Sequence, residues 1–158
     1  MAKPKPPALD PMTLEPRTGS AYPSVFSKVV EGRLKRALGN AFGLTNFGVN
    51  MTVLQPGGAS ALRHWHAKQD EFIYVVDGEV TLVTDAGAQV LRAGMVAGFP
   101  AGKPDGHHLI NKTDRDATVL EVGDRTPGDV ATYPDEDLKA QDIEGRWHFT
   151  HKDGTPYS

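Results

Sequence analysis

The chain has 158 residues, a length that suits one domain with a real core, and its 39% hydrophobic and 23% charged residues fit a globular protein rather than a disordered or membrane-spanning one. Net charge is −3, and no run of lysine or arginine forms a stripe able to follow a phosphate backbone, which argues against nucleic acid as a partner. Cysteine is absent, so disulfides and thiolate metal sites are excluded, and any metal must be held by nitrogen and oxygen donors.

The N-terminal stretch MAKPKPPALDPMTLEPRTG has no apolar core of signal-peptide length, and nothing elsewhere approaches a membrane span. A cytoplasmic location with no membrane partner is expected. Six prolines within residues 1–23 (Pro4, Pro6, Pro7, Pro11, Pro16 and Pro23) remove backbone donors and favour extended chain. This is an arm, either loose or laid against a partner subunit. Residues 31–40, EGRLKRALGN, predict a short helix, with Leu34 and Leu38 four apart and Gly39 and Asn40 as stop signals.

From Thr45 the pattern changes to short strands divided by turn residues: TNFGVNMTVL, ALRHWH, EFIYVV, EVTLVT, AQVLR, MVAGF, HHLIN and ATVLEVG. Strands at this spacing predict a sandwich or barrel. Asp77-Gly78 can take the positive φ angles of a tight hairpin, which would pair EFIYVV with EVTLVT. The tail from Pro127 is polar and turn-rich; DEDLKAQDIE reads as a short helix and WHFTHKDGTPY as one more strand.

Chemistry concentrates in RHWHAKQDE, residues 63–71. Alternate side chains of a strand share a face, so His64 and His66 would project together, about 6.6 Å apart along the backbone. The four-residue connection AKQD would then return Glu71 beside them through a hairpin. A further ligand could come from PAGKPDGHHLIN, where His107 and His108 occupy opposite faces and only one can point the same way. Three imidazoles and a carboxylate leave positions open on a divalent ion, the arrangement of a reactive site. A His-x-His pair alone is more often an ordinary polar or packed pair, so the surrounding glycines decide.

Gly58, His64, His66, Glu71 and Gly78 stand at the spacing of the first cupin motif, and Gly94, Pro100, Gly102, His107 and Asn111 resemble the second. One departure is the loop Lys103 to Gly106, four residues where the family usually has two. The resemblance implies an all-β double-stranded β-helix, the cupin jelly roll, preceded by the Pro-rich arm. It also implies one divalent transition metal ion (Mn, Fe, Ni or Zn) near the barrel mouth, held by His64, His66, Glu71 and His107. His107 is favoured over His108 because it keeps the family's spacing to Asn111. The expected division is an arm over 1–23, a cupin β-barrel domain over 24–126 and a polar C-terminal tail over 127–158 packing on the barrel.

By the same resemblance the protein is a homodimer acting on a small, polar, carbohydrate-like molecule as an isomerase, epimerase or lyase, with sugar phosphate isomerases the leading class. The alternatives are a metal-dependent dioxygenase and a non-catalytic ligand-binding or sensor module; no catalytic residue is assigned. Leu62, Ile73 and Val75 would share the inward face with the ligands as an apolar wall, while Trp65, Phe72 and Tyr74 would face outward under some cover. Arg63, Lys68, Gln69, Asp70, Lys103, Asp105 and His108 are polar candidates for contact with a ligand, and Tyr133, His148 and His151 for a lid. No cluster of arginines marks a phosphate pocket in the sequence.

Overall fold

The computed structural model describes residues 7–158. Prolines 4 and 6 of the arm therefore lie outside the described residues. From Pro7 the arm runs along its own subunit: after a 3-10 turn at Pro11–Thr13, Arg17 exchanges backbone hydrogen bonds with Lys35 at 2.8 and 2.9 Å. A second 3-10 helix, Ser24–Val30, leads into the sheets.

Twelve strands follow: β1 (Arg33–Ala37), β2 (Phe47–Leu54), β3 (Trp65–His66), β4 (Glu71–Asp77), β5 (Glu79–Thr84), β6 (Gly87–Arg92), β7 (Val96–Phe99), β8 (His108–Ile110), β9 (Ala117–Asp124), β10 (Val130–Tyr133), β11 (Leu138–Ile143) and β12 (Arg146–Thr150). They form three sheets, ordered β1-β2-β9-β4-β7, β12-β11-β10-β3 and β6-β5-β8. The architecture is all-β as expected, but the hydrogen-bond ladders do not run round into one closed barrel.

Burial alternates along the strands as a two-faced sheet requires. Ile73 and Val75 of β4 and Leu54 and Val119 of β2 and β9 point inward, meeting Val80, Leu82, Leu91 and Leu109 of the three-stranded sheet in one apolar core. Leu62 belongs to a second cluster with Ala131, Tyr133, Leu138 and Ala140, which Tyr22, Phe26 and Phe149 flank. The single apolar wall expected from Leu62, Ile73 and Val75 is thus two walls, because the chain changes sheets between Leu62 and Ile73.

That change of sheet overturns two expectations. Strand β4 pairs with β7 and β9, and β5 with β6 and β8, so Asp77-Gly78 does not close a hairpin between β4 and β5; it carries the chain across from one sheet to the other. Gly78 does take positive φ, +78°, and a Cβ there would stand 2.9 Å from the Asp116 carbonyl oxygen. Likewise β3 pairs with β10, so Ala67–Asp70 is a crossover and not a hairpin. The jelly-roll path places consecutive strands in facing layers, where a tight turn would otherwise pair them.

Two helix expectations are also corrected. Residues 33–37 form β1, followed by a single helical turn, α1 (Leu38–Ala41). The ladder with β2, Arg33 opposite Leu54 through Ala37 opposite Asn50, satisfies the backbone that a short isolated helix could hold only weakly. In the tail, Leu138–Ile143 is strand β11, with Leu138 and Ala140 buried and Gln141 exposed, the period-2 pattern of a strand. The last segment is a strand, β12, as expected. Among the described residues no helix is long and apolar enough to cross a membrane.

Candidate metal centre

The two histidine-bearing segments are joined directly. His64 and His107 form an isolated antiparallel bridge, with the His107 N–H donating to the His64 carbonyl at 2.9 Å and the reverse bond at 3.2 Å. His66 lies opposite Ala131 of β10, and Glu71 opens β4 opposite Phe99 of β7 and Gly123 of β9. One isolated bridge and three ladders, β3–β10, β4–β7 and β4–β9, therefore fix the four side chains.

Their donor atoms converge. Glu71 Oε2 is 2.6 Å from His107 Nε2, and Oε1 is 3.3 Å from His66 Nε2 and 3.9 Å from His64 Nε2. One donor atom from each of His64, His66 and Glu71 lies within 4.8 Å of the other two. The Nδ1 atoms of two rings are tied back: His64 Nδ1 to the Leu62 carbonyl at 2.7 Å and His66 Nδ1 to Asp129 Oδ2 at 2.5 Å. A carbonyl oxygen can only accept, so His64 Nδ1 is the donor of that bond and Nε2 is the nitrogen turned toward Glu71. His107 instead has its ring stacked on Phe99, centroids 3.6 Å apart and nearly parallel, and its buried Nδ1 has no protein partner.

The electrostatics follow from crowding these groups together. Burial pushes the Glu71 carboxyl up, but hydrogen bonds from His107, His64 and His66 outweigh it and hold the group well below the usual carboxylate range. Burial lowers His66, yet the carboxylates of Glu71 and Asp129 on either side raise it to about 9. Asp129 is wholly buried, and its second oxygen accepts the Lys68 N–H at 2.7 Å. Nothing in the sequence marks this aspartate, which sits in the turn-rich TPGD segment with no spacing to connect it to histidine.

Of the other expected candidates, Gln69 borders both cavities at the cluster, Lys103 and Asp105 the smaller and His108 the larger. His108 turns its Nδ1 to the Ala61 carbonyl at 3.0 Å, and burial lowers its pKa. Arg63 is a clamp: its guanidinium donates to both oxygens of Asp135, to Asp85 and to the Gly106 carbonyl. Asp70 accepts the Ala101 N–H at 2.7 Å, and Gln69 donates to the Thr126 carbonyl at 3.0 Å. Tyr133 is buried against the His64 ring, centroids 5.6 Å apart, so it is a wall and not a lid. His148 is exposed, and His151 pairs with Asp137 at 2.8 Å, far from a lid role. Phe72 and Tyr74 do face outward, but within this subunit they stand exposed.

Two cavities open from the cluster. One of about 190 Å³ is lined by Trp65, Thr84, Phe99, Lys103 and Asp105 with His66, Glu71 and His107. The other, about 710 Å³, runs between the five-stranded and four-stranded sheets, from His64, His66, Glu71 and His107 to Arg17, Arg33 and Lys35.

The protein most informative for comparison is a sugar phosphate isomerase of the cupin superfamily from Silicibacter pomeroyi. It is 46% identical over 96% of this chain and 97% of that one, with a TM-score of 0.91. The chain belongs to the cupin superfamily. The cupin-domain family model matches residues 50–123 of this cupin. A candidate sugar phosphate isomerase from Acidithiobacillus ferrooxidans is 27% identical over 77% of each chain, TM-score 0.71. A polyketide cyclase from Streptomyces resistomycificus, 20% identical over 78% of this cupin and 80% of its own chain with a TM-score of 0.62, shares the fold. No curated protein matches the chain.

Proposed function

We propose that this cupin binds one divalent transition metal ion (Mn, Fe, Ni or Zn) through His64, His66, Glu71 and His107, and that it is an enzyme of the isomerase, epimerase or lyase type acting on a small carbohydrate-like molecule. The observation that carries the reading is the convergence of three imidazole Nε2 atoms on one carboxylate while two of the rings are anchored from behind by the Leu62 carbonyl and Asp129. Nitrogen-rich, mixed N/O donor sets of this kind suit first-row divalent ions. An ion held there supplies Lewis acidity to a carbonyl or hydroxyl oxygen.

The chain's own residues do the rest. Phe99 and Tyr133 wall the cluster with apolar surface, which strengthens every charge interaction within it. The large cavity gives room for a molecule of sugar size. The name carried by the Silicibacter protein, sugar phosphate isomerase, supports the choice of substrate class. The reading includes a homodimer packed through the outward face of the five-stranded sheet, where Phe72, Tyr74 and Val96 stand exposed.

Two measurements test it. Elemental analysis of protein purified without a nickel column should find a bound transition metal that His64→Ala, His66→Ala, Glu71→Ala and His107→Ala each deplete; unchanged metal content in these variants overturns the ligand assignment. Incubation of the loaded protein with a panel of aldoses, ketoses and their phosphates in deuterated water, under argon, should give isomerised product carrying solvent deuterium. Turnover that demands oxygen would instead identify a dioxygenase.

A further inference from the structure

The far wall of the large cavity carries charge that the metal centre does not use. Arg33 and Lys35 lie two apart on β1 and so share a face, and both line the cavity. The arm adds Arg17, which the backbone bridge to Lys35 sets beside them. Lys35 has an acidic neighbour, Glu121 of β9, at 3.6 Å. Among the described residues, neither Arg17 nor Arg33 pairs with a carboxylate. Arg33 is held in place by neutral groups, donating to the Ser60 carbonyl at 2.7 Å and the Gly19 carbonyl at 3.0 Å, and its buried Nε has no partner. Burial lowers its pKa, and the charge of the nearby Glu121 carboxylate offsets part of that.

Arg17, exposed, and Arg33, half-buried, thus border one cavity, and an anion seated between them would meet both charges. Beside them Glu121 keeps one carboxylate oxygen buried and without a hydrogen-bond partner, and Asn50, its partner across the ladder, lines the same cavity. A carboxylate oxygen asks for a hydroxyl, and a guanidinium for an oxyanion. We propose that Arg17 and Arg33 form the subsite for a terminal oxyanion, phosphate or carboxylate, of a polyhydroxylated ligand whose other end lies at the His64–His66–Glu71–His107 cluster. The placement of that other end rests on the function proposed above; the anion subsite itself does not require the ion.

The sequence conceals this wall because Arg17 and Arg33 are sixteen positions apart and belong to an arm and an edge strand whose pairing no local pattern announces.

Calorimetric titration of the full chain with ribose 5-phosphate, ribonate and ribose tests the proposal, with and without prior removal of metal by chelation. At least one of the two anions should bind the chelated protein ten times or more as tightly as ribose, and added salt should weaken that preference. Whichever anion binds more tightly names the oxyanion. Arg17→Gln and Arg33→Gln should each cut anion affinity about tenfold, the loss of one charge-assisted contact, and leave ribose binding unchanged. Arg33 also braces the arm through Gly19, so thermal unfolding is followed in parallel. Arg17, whose side chain makes no hydrogen bond within the described residues, decides the matter if Arg33→Gln fails to fold. Equal affinity for ribose and both anions in the wild type, or wild-type anion binding by Arg17→Gln, overturns the subsite. Loss of the metal reading with anion discrimination intact, and the reverse, are separate outcomes, since the first is read by elemental analysis and the second on chelated protein.

Discussion

His66 stands between two carboxylates, Glu71 on its Nε2 side and Asp129 on its Nδ1 side, and together they outweigh the effect of burial and raise its pKa. With a folded pKa near 9, above the ordinary 6.5, it is a cation at neutral pH when no metal is bound. Metal uptake must displace that proton, so apparent affinity should rise with pH, by up to about tenfold per unit, and level off above pH 9. Titrations with a chelator-buffered metal between pH 6 and 9.5 check this, and a flat profile would contradict it. The same shift acts on stability of the metal-free protein. A folded pKa raised above the unfolded one stabilises fully below pH 6.5 and is lost as pH climbs through 9; Glu71, lowered, stabilises above pH 4.5 and is lost in acid. Asp129→Asn keeps the shape of the brace but removes its charge, and should weaken metal binding on the order of 10–100-fold while lowering the His66 pKa, measurable by NMR titration of the ring. The nearness of His64 to His66 was readable from spacing, because an extended chain turns alternate positions to one face. Asp129 and Phe99 were not, since each reaches the centre only through the pairing of β10 with β3 and of β7 with β4.

At the scale of elements, the loop Lys103–Gly106, longer than its family usually has, is held by Arg63 at Gly106 and by Asp105, whose Oδ1 accepts the Asp85 N–H at 2.8 Å. Arg63 ties the Gly106 carbonyl to Asp135 in the β10–β11 turn and Asp85 in the β5–β6 turn, one residue before His107. Gly106 fits because a Cβ there would come within 2.9 Å of Pro134 and 3.1 Å of the Arg63 guanidinium. Arg63→Met should therefore cost about 1–3 kcal/mol, near the low end because both acids are exposed to screening solvent, and should weaken metal binding by loosening His107. Thermal unfolding with and without metal separates the two effects; a variant that unfolds early but binds metal as tightly as wild type would confine Arg63 to the fold. The strands of the central domain were legible because their alternation is clean, as in EFIYVV. LKRAL, running from β1 into α1, reads as helix because Leu34 and Leu38 stand four apart, a spacing compatible with either period, whereas Leu138 and Ile143 of β11 stand five apart and mark neither. Only the partner strand chooses between them. Asp77-Gly78 supplied the right backbone angle for a wrong connection, since φ at one residue says nothing about which sheet the next strand joins.

For the whole molecule, the question is what covers the outward face of the five-stranded sheet. Its inward face is core and cavity wall, and a sheet with one buried face ordinarily turns polar side chains to water on the other. Here β4 presents Phe72, Tyr74 and Val76, all exposed, and its neighbours extend the surface: Val96 of β7 and Leu120 of β9 lie opposite Tyr74, and Val122 lies opposite Phe72. A contiguous apolar area of this kind is a contact surface, and a flat sheet face meets a copy of itself readily under two-fold symmetry, where each residue finds its own equivalent or a close neighbour. The homodimer proposed above needs no help from the arm, which in this subunit lies along its own β1. Sedimentation velocity over a tenfold concentration range should show a dimer. Tyr74→Lys, placing a charge in the middle of the face, should convert it to a monomer while leaving the far-ultraviolet circular dichroism and metal content as in the wild type, because the side chain touches neither the core nor the centre. A wild type that sediments as a monomer at every concentration would dispose of the interface. A dimer that survives Tyr74→Lys would move it to another surface, and the exposed apolar rows of β4 and β7 would need a different partner.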